Sequence, residues 1–435
     1  MNIHGSNSNR IFNQKLAKIF GFYQILDTET VTFLGRHNVY YRIFVFLIVC
    51  ECLFSAIACL NGLNYIVNNH NIIQAMVYFG FVVNALYGNY KMYIILNNSK
   101  VVWDCFSITN FDFTSYGIQG RHTLTAWRNL SIKYTNKYSI FFLTILIMYV
   151  ASPVVFSDSF IIIKNHDGSS SAYRLNLLNL YLFVSEETYN TYFYVFHIFE
   201  SLGMVITTLF IIIFDTIVNT LALALTGQLQ MISTAFESVG HKSLHFPNMD
   251  NIDNKNKLPN ENIKYMDQFN DLKTFIIDHQ NILKKYDEFL SIFQPTMLLQ
   301  IFVVSCSIIF LWFILLTSFM EDDFTEYMAF TSVKAFFGIP FCTSQVYMSC
   351  FIFTTLNTKK DSITFALYSS NWTEMDMKCK KLILSTMRLN DAHQQKLQYT
   401  RTRIINMEIF YQTMRVCYTI VNVMINCKKE KLVQQ

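Results

Sequence analysis

Residues 195–225 read VFHIFESLGMVITTLFIIIFDTIVNTLALAL, an apolar run in which His197, Glu200 and Asp215 are the only ionisable side chains. A helix of about 20 apolar residues crosses a hydrocarbon layer roughly 30 Å thick. This run is longer than that, so it reads as a membrane-spanning helix. Six further runs of similar character flank it, at residues 40–60, 72–96, 138–163, 296–320, 329–356 and 404–427. The last is the least apolar. Lipid offers no partners to main-chain N–H and C=O groups, so each run is expected to be helical. The sequence therefore predicts an all-α membrane protein with seven transmembrane helices.

Composition agrees. Of 435 residues, 52% are hydrophobic and 15% charged, against roughly 25% charged in soluble domains. Only 5 Pro and 13 Gly interrupt the chain. A net charge of +4 without a basic, aromatic-interleaved patch gives no sign of a nucleic-acid partner. Most of the 10 Cys lie in apolar runs and none has zinc-site spacing, so they read as free thiols acting as small apolar side chains. Residues 1–39 lack the short apolar core and small-residue cleavage site of a secretory signal.

Lys and Arg fix an orientation, because basic loops stay cytoplasmic. With the N-terminus inside, the cytoplasmic side carries five basic residues in the first 42, six from Lys91 to the third span, seven between the fourth and fifth spans and nine between the sixth and seventh. On the opposite side residues 61–71 hold no basic residue, residues 165–194 hold Arg174 alone, and residues 321–328 carry four acids and no base. Lys428, Lys429 and Lys431 run against this pattern. The expected layout is a cytoplasmic segment at 1–39, four spans within 40–225, a cytoplasmic loop and helix at 226–295, two spans within 296–356, cytoplasmic helices at 357–403, a final span at 404–427 and an extracellular tail at 428–435. The glycosylation sequons at Asn97, Asn129 and Asn371 then fall on the cytoplasmic side, where they stay unmodified. Residues 240–262, polar and Asn-rich with Pro247 and Pro259, read as disordered. From residue 263 to 293 apolar side chains recur at helical spacing, which predicts a helix running into the fifth span. Residues 361–400 show the same pattern among charges. No internal repeat suggests a transporter built from inverted halves.

Ala366, Tyr368 and Trp372 follow the sixth run, then the basic residues Lys378, Lys380, Lys381 and Arg388, then Phe410 and the pair Tyr418-Thr419 in the final run. In order and spacing these residues resemble the C-terminal part of insect odorant receptors, with Thr419 replacing the usual Ser. Asp215, Leu225, Gln228 and Leu229 in the fourth run fit the same family. Residues 415–426 do not resemble the shared co-receptor's final helix, so the resemblance is to a variable, odorant-binding subunit. It implies a plasma-membrane channel in the dendrite of an olfactory sensory neuron, a heterotetramer with co-receptor subunits in which four final helices line a non-selective cation pore. It implies no cofactor.

The resemblance points to the outer halves of the second, third, fourth and sixth spans as the odorant pocket, and helical periodicity selects faces on them. These faces carry Met76, Phe79, Gly80 and Val83; Tyr149, Ser152, Pro153 and Phe156; Phe199, Gly203, Thr207 and Phe210; and Val333, Phe337 and Phe341. Tyr149 and Ser152 are the expected hydrogen-bond donors, suited to a small volatile ester, ketone or alcohol. Aromatics at helical spacing also occur where they simply face lipid or core. In the seventh span Gln412, Arg415, Thr419, Asn422 and Asn426 fall three or four apart and share one helical face. Polar groups avoid lipid, so this face is expected to meet water in a pore or a neighbouring helix. Val423 stands beside it, where the resemblance places an apolar gate. Tyr368, Trp372 and Phe410 are the expected subunit anchors, although a Trp there also suits the membrane interface.

Other functions fit less well. A G-protein-coupled receptor needs the opposite orientation, and neither Asp-Arg-Tyr after the third span nor Asn-Pro-x-x-Tyr in the seventh is present. A gustatory receptor shares fold and orientation, but its C-terminal Thr-Tyr-x-x-x-x-x-Gln-Phe signature is missing. An enzyme or transporter would use intramembrane ionisable groups, of which Glu51, His197, Glu200, Asp215, Lys334 and Arg415 are candidates. His197 and Glu200 could be half of a metal site or a satisfied polar pair. No catalytic motif accompanies any of them.

Overall fold

The computed structural model describes residues 10–26, 39–69, 72–117, 120–156, 159–164, 170–180, 184–241, 261–319, 326–392, 396 and 404–433. Its long helices are α3 (Val39–Asn69), α4 (Ile72–Asn97), α6 (Arg121–Val155), α8 (Phe193–Ser238), α9 (Glu261–Ser318), α10 (Glu326–Ser369) and α12 (Met407–Val433). The shorter helices are α1 (Gln14–Ile19), α2 (Phe22–Leu26), α5 (Ser99–Cys105), α7 (Glu186–Thr191) and α11 (Met377–Ala392). Among the described residues, five of the long helices, α3, α6, α8, α9 and α10, are long and apolar enough to cross a membrane. The other two expected spans, α4 and α12, have 26 and 27 residues, or roughly 40 Å of helix, and both carry polar side chains. In α4 those groups face protein: Asn89 and Lys91 are buried.

Helix α8 forms the spine. It packs on α4, α6, α9 and α10, and from Ile206 to Phe236 nearly every residue is buried. That is why residues 195–225 are apolar all round rather than on one stripe. Lys91 of α4 lies on it, its Nζ 2.6 Å from Asp215 Oδ1 and near the Tyr87 and Phe214 rings. Tyr138 of α6 donates its hydroxyl to Asp215 Oδ2. The orientation count above places Lys91 in a loop. The structure corrects this, because Lys91 is an interior residue whose charge Asp215 compensates.

Two boundaries differ from expectation. The third run was expected to be helical to residue 163, but α6 ends at Val155. Pro153 lacks an N–H and so removes one bond of the ladder; the Tyr149 carbonyl accepts from Ser152 Oγ at 2.7 Å instead, and α6 ends two residues later. The β-branched stretch at 161–163 becomes part of strand β1 (Phe160–Lys164), paired antiparallel with β2 (Ser170–Arg174), Phe160 opposite Arg174. At the other end α12 continues beyond residue 427 to Val433. The expected helix from 263 into the fifth span forms as α9, with Pro295 inside it. The Asn-rich stretch expected at 240–262 lies almost wholly outside the described residues. Near the chain's start, Asn13 caps α1 by accepting from Leu16 N–H and bonds Asn136 of α6 at 2.6 Å, so residues 10–26 dock against the bundle.

Candidate functional site

After β2 the chain dives into the bundle. Residues Leu175, Asn176, Leu177, Leu178, Asn179 and Leu180 are each at most 5% exposed. A loop buried this deeply must have its main-chain groups satisfied. Side chains from the helices do so. Glu200 of α8 accepts the Leu178 and Asn179 N–H groups on Oε2, at 2.7 and 3.2 Å, and the Leu180 N–H on Oε1 at 2.7 Å. Lys334 of α10 donates to the carbonyls of Asn176 and Leu177 at 3.1 and 2.8 Å, and its ammonium lies 3.7 Å from the Phe330 ring centre. His197 Nδ1 is 2.8 Å from Asn176 Oδ1, Tyr78 donates to the Asn179 carbonyl and Asn61 to that of Leu180. Asn179 adopts φ 52°, a left-handed turn that Asn tolerates. His197, Glu200 and Lys334 are thus latches for this segment, and among the described residues no three His, Cys, Asp or Glu side chains gather as a metal site.

Beneath the segment lies a cavity of about 180 Å³. Met76, Val77, Gly80, Phe81 and Asn84 of α4 form one wall, and Ile145, Leu146 and Tyr149 of α6 the next. Met204, Thr207, Thr208 and Ile211 come from α8, and Ser307, Phe310, Leu311 and Ile314 from α9. Thr331, Lys334, Ala335, Gly338, Phe341 and Cys342 come from α10, while Leu177 and Leu178 belong to the buried segment. An apolar cavity of about 150 Å³ holds benzene, so the space suits one small molecule slightly larger than that. Gly338 keeps it open on one side: a Cβ there would stand 2.8 Å from Tyr149 Oη and 3.0 Å from Leu311 Cδ1.

Of the pocket residues expected from sequence, Met76, Gly80, Tyr149, Thr207 and Phe341 come together on this cavity. Phe79 turns toward Gly62 of α3, and Val83 and Phe199 are 40% and 50% exposed on the outside of the bundle. Ser152 is buried against its own helix. Phe156 packs edge-on against Phe330, and Gly203 faces Phe54 and Glu51 of α3. Val333 and Phe337 do not line the cavity, and neither do Pro153 and Phe210. On α4, α8 and α10 the cavity face is displaced by about one residue from the expected face, roughly 100°. Sequence reasoning missed α9 and the buried segment altogether. Ser307, a hydroxyl in an apolar run, was the available signal.

Helix α12 packs on α9 and α10 through one side only. Cys417 and Val421 are buried there, while Arg415, Thr419, Asn422, Val423 and Asn426 are exposed. Thr419 bonds its own helix, at the Arg415 carbonyl. The polar face therefore points away from the rest of this chain. At the expected anchors, Tyr368 is 65% exposed, but Phe410 stacks edge-on against Tyr347 and Trp372 is half-buried on the main core.

Comparison with known proteins supplies a context. The family model described as 7tm odorant receptor matches residues 68–418. No curated protein matches the sequence. Among solved structures, the insect olfactory receptor OR5 from Machilis hrabei in complex with eugenol superposes with a TM-score of 0.66 at 13% identity, covering 95% of this chain and 98% of that one. The same receptor in a second structure gives 0.65 at 13% identity, covering 94% and 97%. At such identity these matches establish a shared fold.

Proposed function

The chain belongs to the 7tm odorant receptor family, a family of multi-pass membrane receptors and not of enzymes, and from that premise we propose that it is the odorant-binding subunit of a cation channel formed with co-receptor subunits. The observation that carries the reading is the small, apolar cavity roofed by residues 175–180. A volatile ligand needs such a site, largely apolar with a few placed polar groups. The eugenol complex of the Machilis receptor, a small aromatic ligand in the same fold, supports it.

In this reading the N-terminus is cytoplasmic, the hairpin and its buried segment are extracellular, and the protein sits in the dendritic plasma membrane. The exposed polar face of α12 lines a pore shared by four subunits, with Val423 at an apolar constriction that opens by wetting. Arg415 lies toward the cytoplasmic end, where it reaches water. Tyr368 is the best-presented contact for a neighbouring subunit. A panel of small volatiles applied to cells expressing this chain with a co-receptor tests the proposal. At least one compound is expected to evoke current, and Gly80→Trp, which fills the cavity, is expected to abolish it. Current unaffected by Gly80→Trp, or an extracellular N-terminal tag, contradicts the reading.

A further inference from the structure

The cavity's hydrogen-bonding groups are unevenly committed. Asn84 has an amide orientation that its neighbours dictate. Nδ2 lies 2.8 Å from the Gly80 carbonyl, which can only accept, so a flipped amide would set two acceptors against each other. The second Asn84 N–H goes to Ser307 Oγ at 3.0 Å. Both amide protons are spent, and Oδ1, on a residue that lines the cavity, has no partner among the described residues.

Of the five lining hydroxyls, three donate to other protein groups. Tyr149 donates to the Lys334 carbonyl at 2.6 Å, Ser307 to the Val303 carbonyl at 3.0 Å and Thr207 to Glu51 Oε1 at 2.5 Å. Thr331 is engaged too, and two Lys334 protons go to the buried segment. Thr208 is the one lining hydroxyl without a hydrogen bond among the described residues. The oxygens of Asn84, Tyr149 and Ser307 keep lone pairs, so among the hydroxyl and amide groups the wall sets several acceptors against one free hydroxyl donor, that of Thr208.

We infer that the cavity selects a small neutral hydrogen-bond donor, an alcohol or phenol, whose O–H is taken by Asn84 Oδ1. This rests on the cavity being the odorant site. An ester, ketone or aldehyde of the same size brings only acceptors. Its oxygen finds only the Thr208 hydroxyl as a free hydroxyl donor, and it leaves Asn84 Oδ1 unpaired under apolar cover, a loss that an O–H donor avoids. Sites built to pair one polar group discriminate by this route.

The test uses benzyl alcohol and benzaldehyde, nearly equal in size, and measures binding to the purified full chain by thermal shift, alongside current in cells with co-receptor. Benzyl alcohol is expected to bind at least about tenfold more tightly, a difference of about 1.4 kcal/mol. Asn84→Leu is expected to bring the ratio to about one. Ser307→Ala removes the acceptor of one Asn84 N–H and frees that donor to the cavity, so benzaldehyde is expected to gain relative to the alcohol. It supplies the decisive comparison if Asn84→Leu does not fold. Equal binding of the two compounds to the parent chain, or a ratio unchanged in Ser307→Ala, overturns the ligand class while leaving the cavity as the site. Binding of neither compound at millimolar concentration overturns both.

Discussion

The buried segment at 175–180 depends on one carboxyl group, and Glu200→Leu isolates its contribution. The substitution removes the acceptor of three main-chain N–H groups, at Leu178, Asn179 and Leu180, in a place with almost no solvent. Each buried donor left unpaired costs about 1–3 kcal/mol. Three together would cost about 3–9 kcal/mol if nothing moved. Such a penalty is comparable with the burial of the segment's four Leu side chains, at about 1.5–3 kcal/mol each, so the segment is expected to leave the bundle far more often and find water instead. Global stability then falls by less than the full sum, and the roof of the cavity opens. Glu200→Gln keeps one oxygen acceptor, so it is expected to fall between the parent and Glu200→Leu. The assay is a Leu178→Cys probe exposed to a membrane-impermeant thiol reagent, in the presence of Glu200 and of each substitution. With Glu200 intact the thiol is protected; with Leu at 200 it is expected to react at least about tenfold faster, as a local opening made cheaper by about 1.4 kcal/mol would dictate. Equal protection in all three backgrounds would refute the role given to Glu200.

Gly338→Ala is expected to weaken odorant binding at least about tenfold with little loss of expression, since its Cβ collides with Tyr149 Oη and Leu311. Adding Tyr149→Phe removes the first obstacle and is expected to restore part of the binding, measured by thermal shift with the bound odorant. His279, in the part of α9 before Pro295, has its imidazole pushed down from 6.5 to about 4 by burial first and then by the Lys360 ammonium. The folded chain therefore binds fewer protons than the unfolded chain between those values. Stability is full above about pH 6.5 and falls as pH drops toward 4, by about 2 kcal/mol at pH 5. His279→Leu is expected to flatten the difference in Tm between about pH 7.5 and about pH 5. Breaking the Lys91–Asp215 pair from one side, with Lys91→Met, leaves a buried charge uncompensated and is expected to cost about 3–5 kcal/mol. The double variant Lys91→Met with Asp215→Leu is expected to recover part of the folded yield in detergent.

The positions of the long helices were legible because lipid and protein interior both demand apolar, hydrogen-bonded backbone. The faces were not, for the same reason. Lipid tails are as apolar as Leu, so Val83 and Phe199 look no different in sequence from Val77 and Met204. Polar residues break that symmetry, since they avoid lipid. Asn84, Ser307 and Lys334 all point inward, and a search built on them would have placed the cavity face of α4, found α9 and set α10 in register. Lys91 shows the opposite error. A charge near the end of a run reads as loop until its partner, Asp215, more than a hundred residues away, is brought beside it. The stretch at 161–163 reads as the end of a span, yet α6 ends two residues after Pro153 and β2 offers the stretch a strand partner. The buried segment is hardest to see. Residues 175–180 are apolar and Asn-rich, and nothing local says that Glu200 and Lys334 will satisfy their main chain. Tyr149 and Ser152, read as ligand donors, lie on the right helix, but each hydroxyl donates to a main-chain carbonyl.

The receptor-channel reading meets its most direct test in odorant-evoked current recorded from cells carrying a co-receptor and this chain with Asn422→Cys, before and after an impermeant thiol reagent. Asn422 and Asn426 stand on the exposed polar face of α12, whereas Val421 is buried against the neighbouring helices. Block is expected at Asn422→Cys and Asn426→Cys, with Val421→Cys spared. Current that survives in full at both Asn positions, or no odorant-evoked current from this chain with any co-receptor, contradicts it.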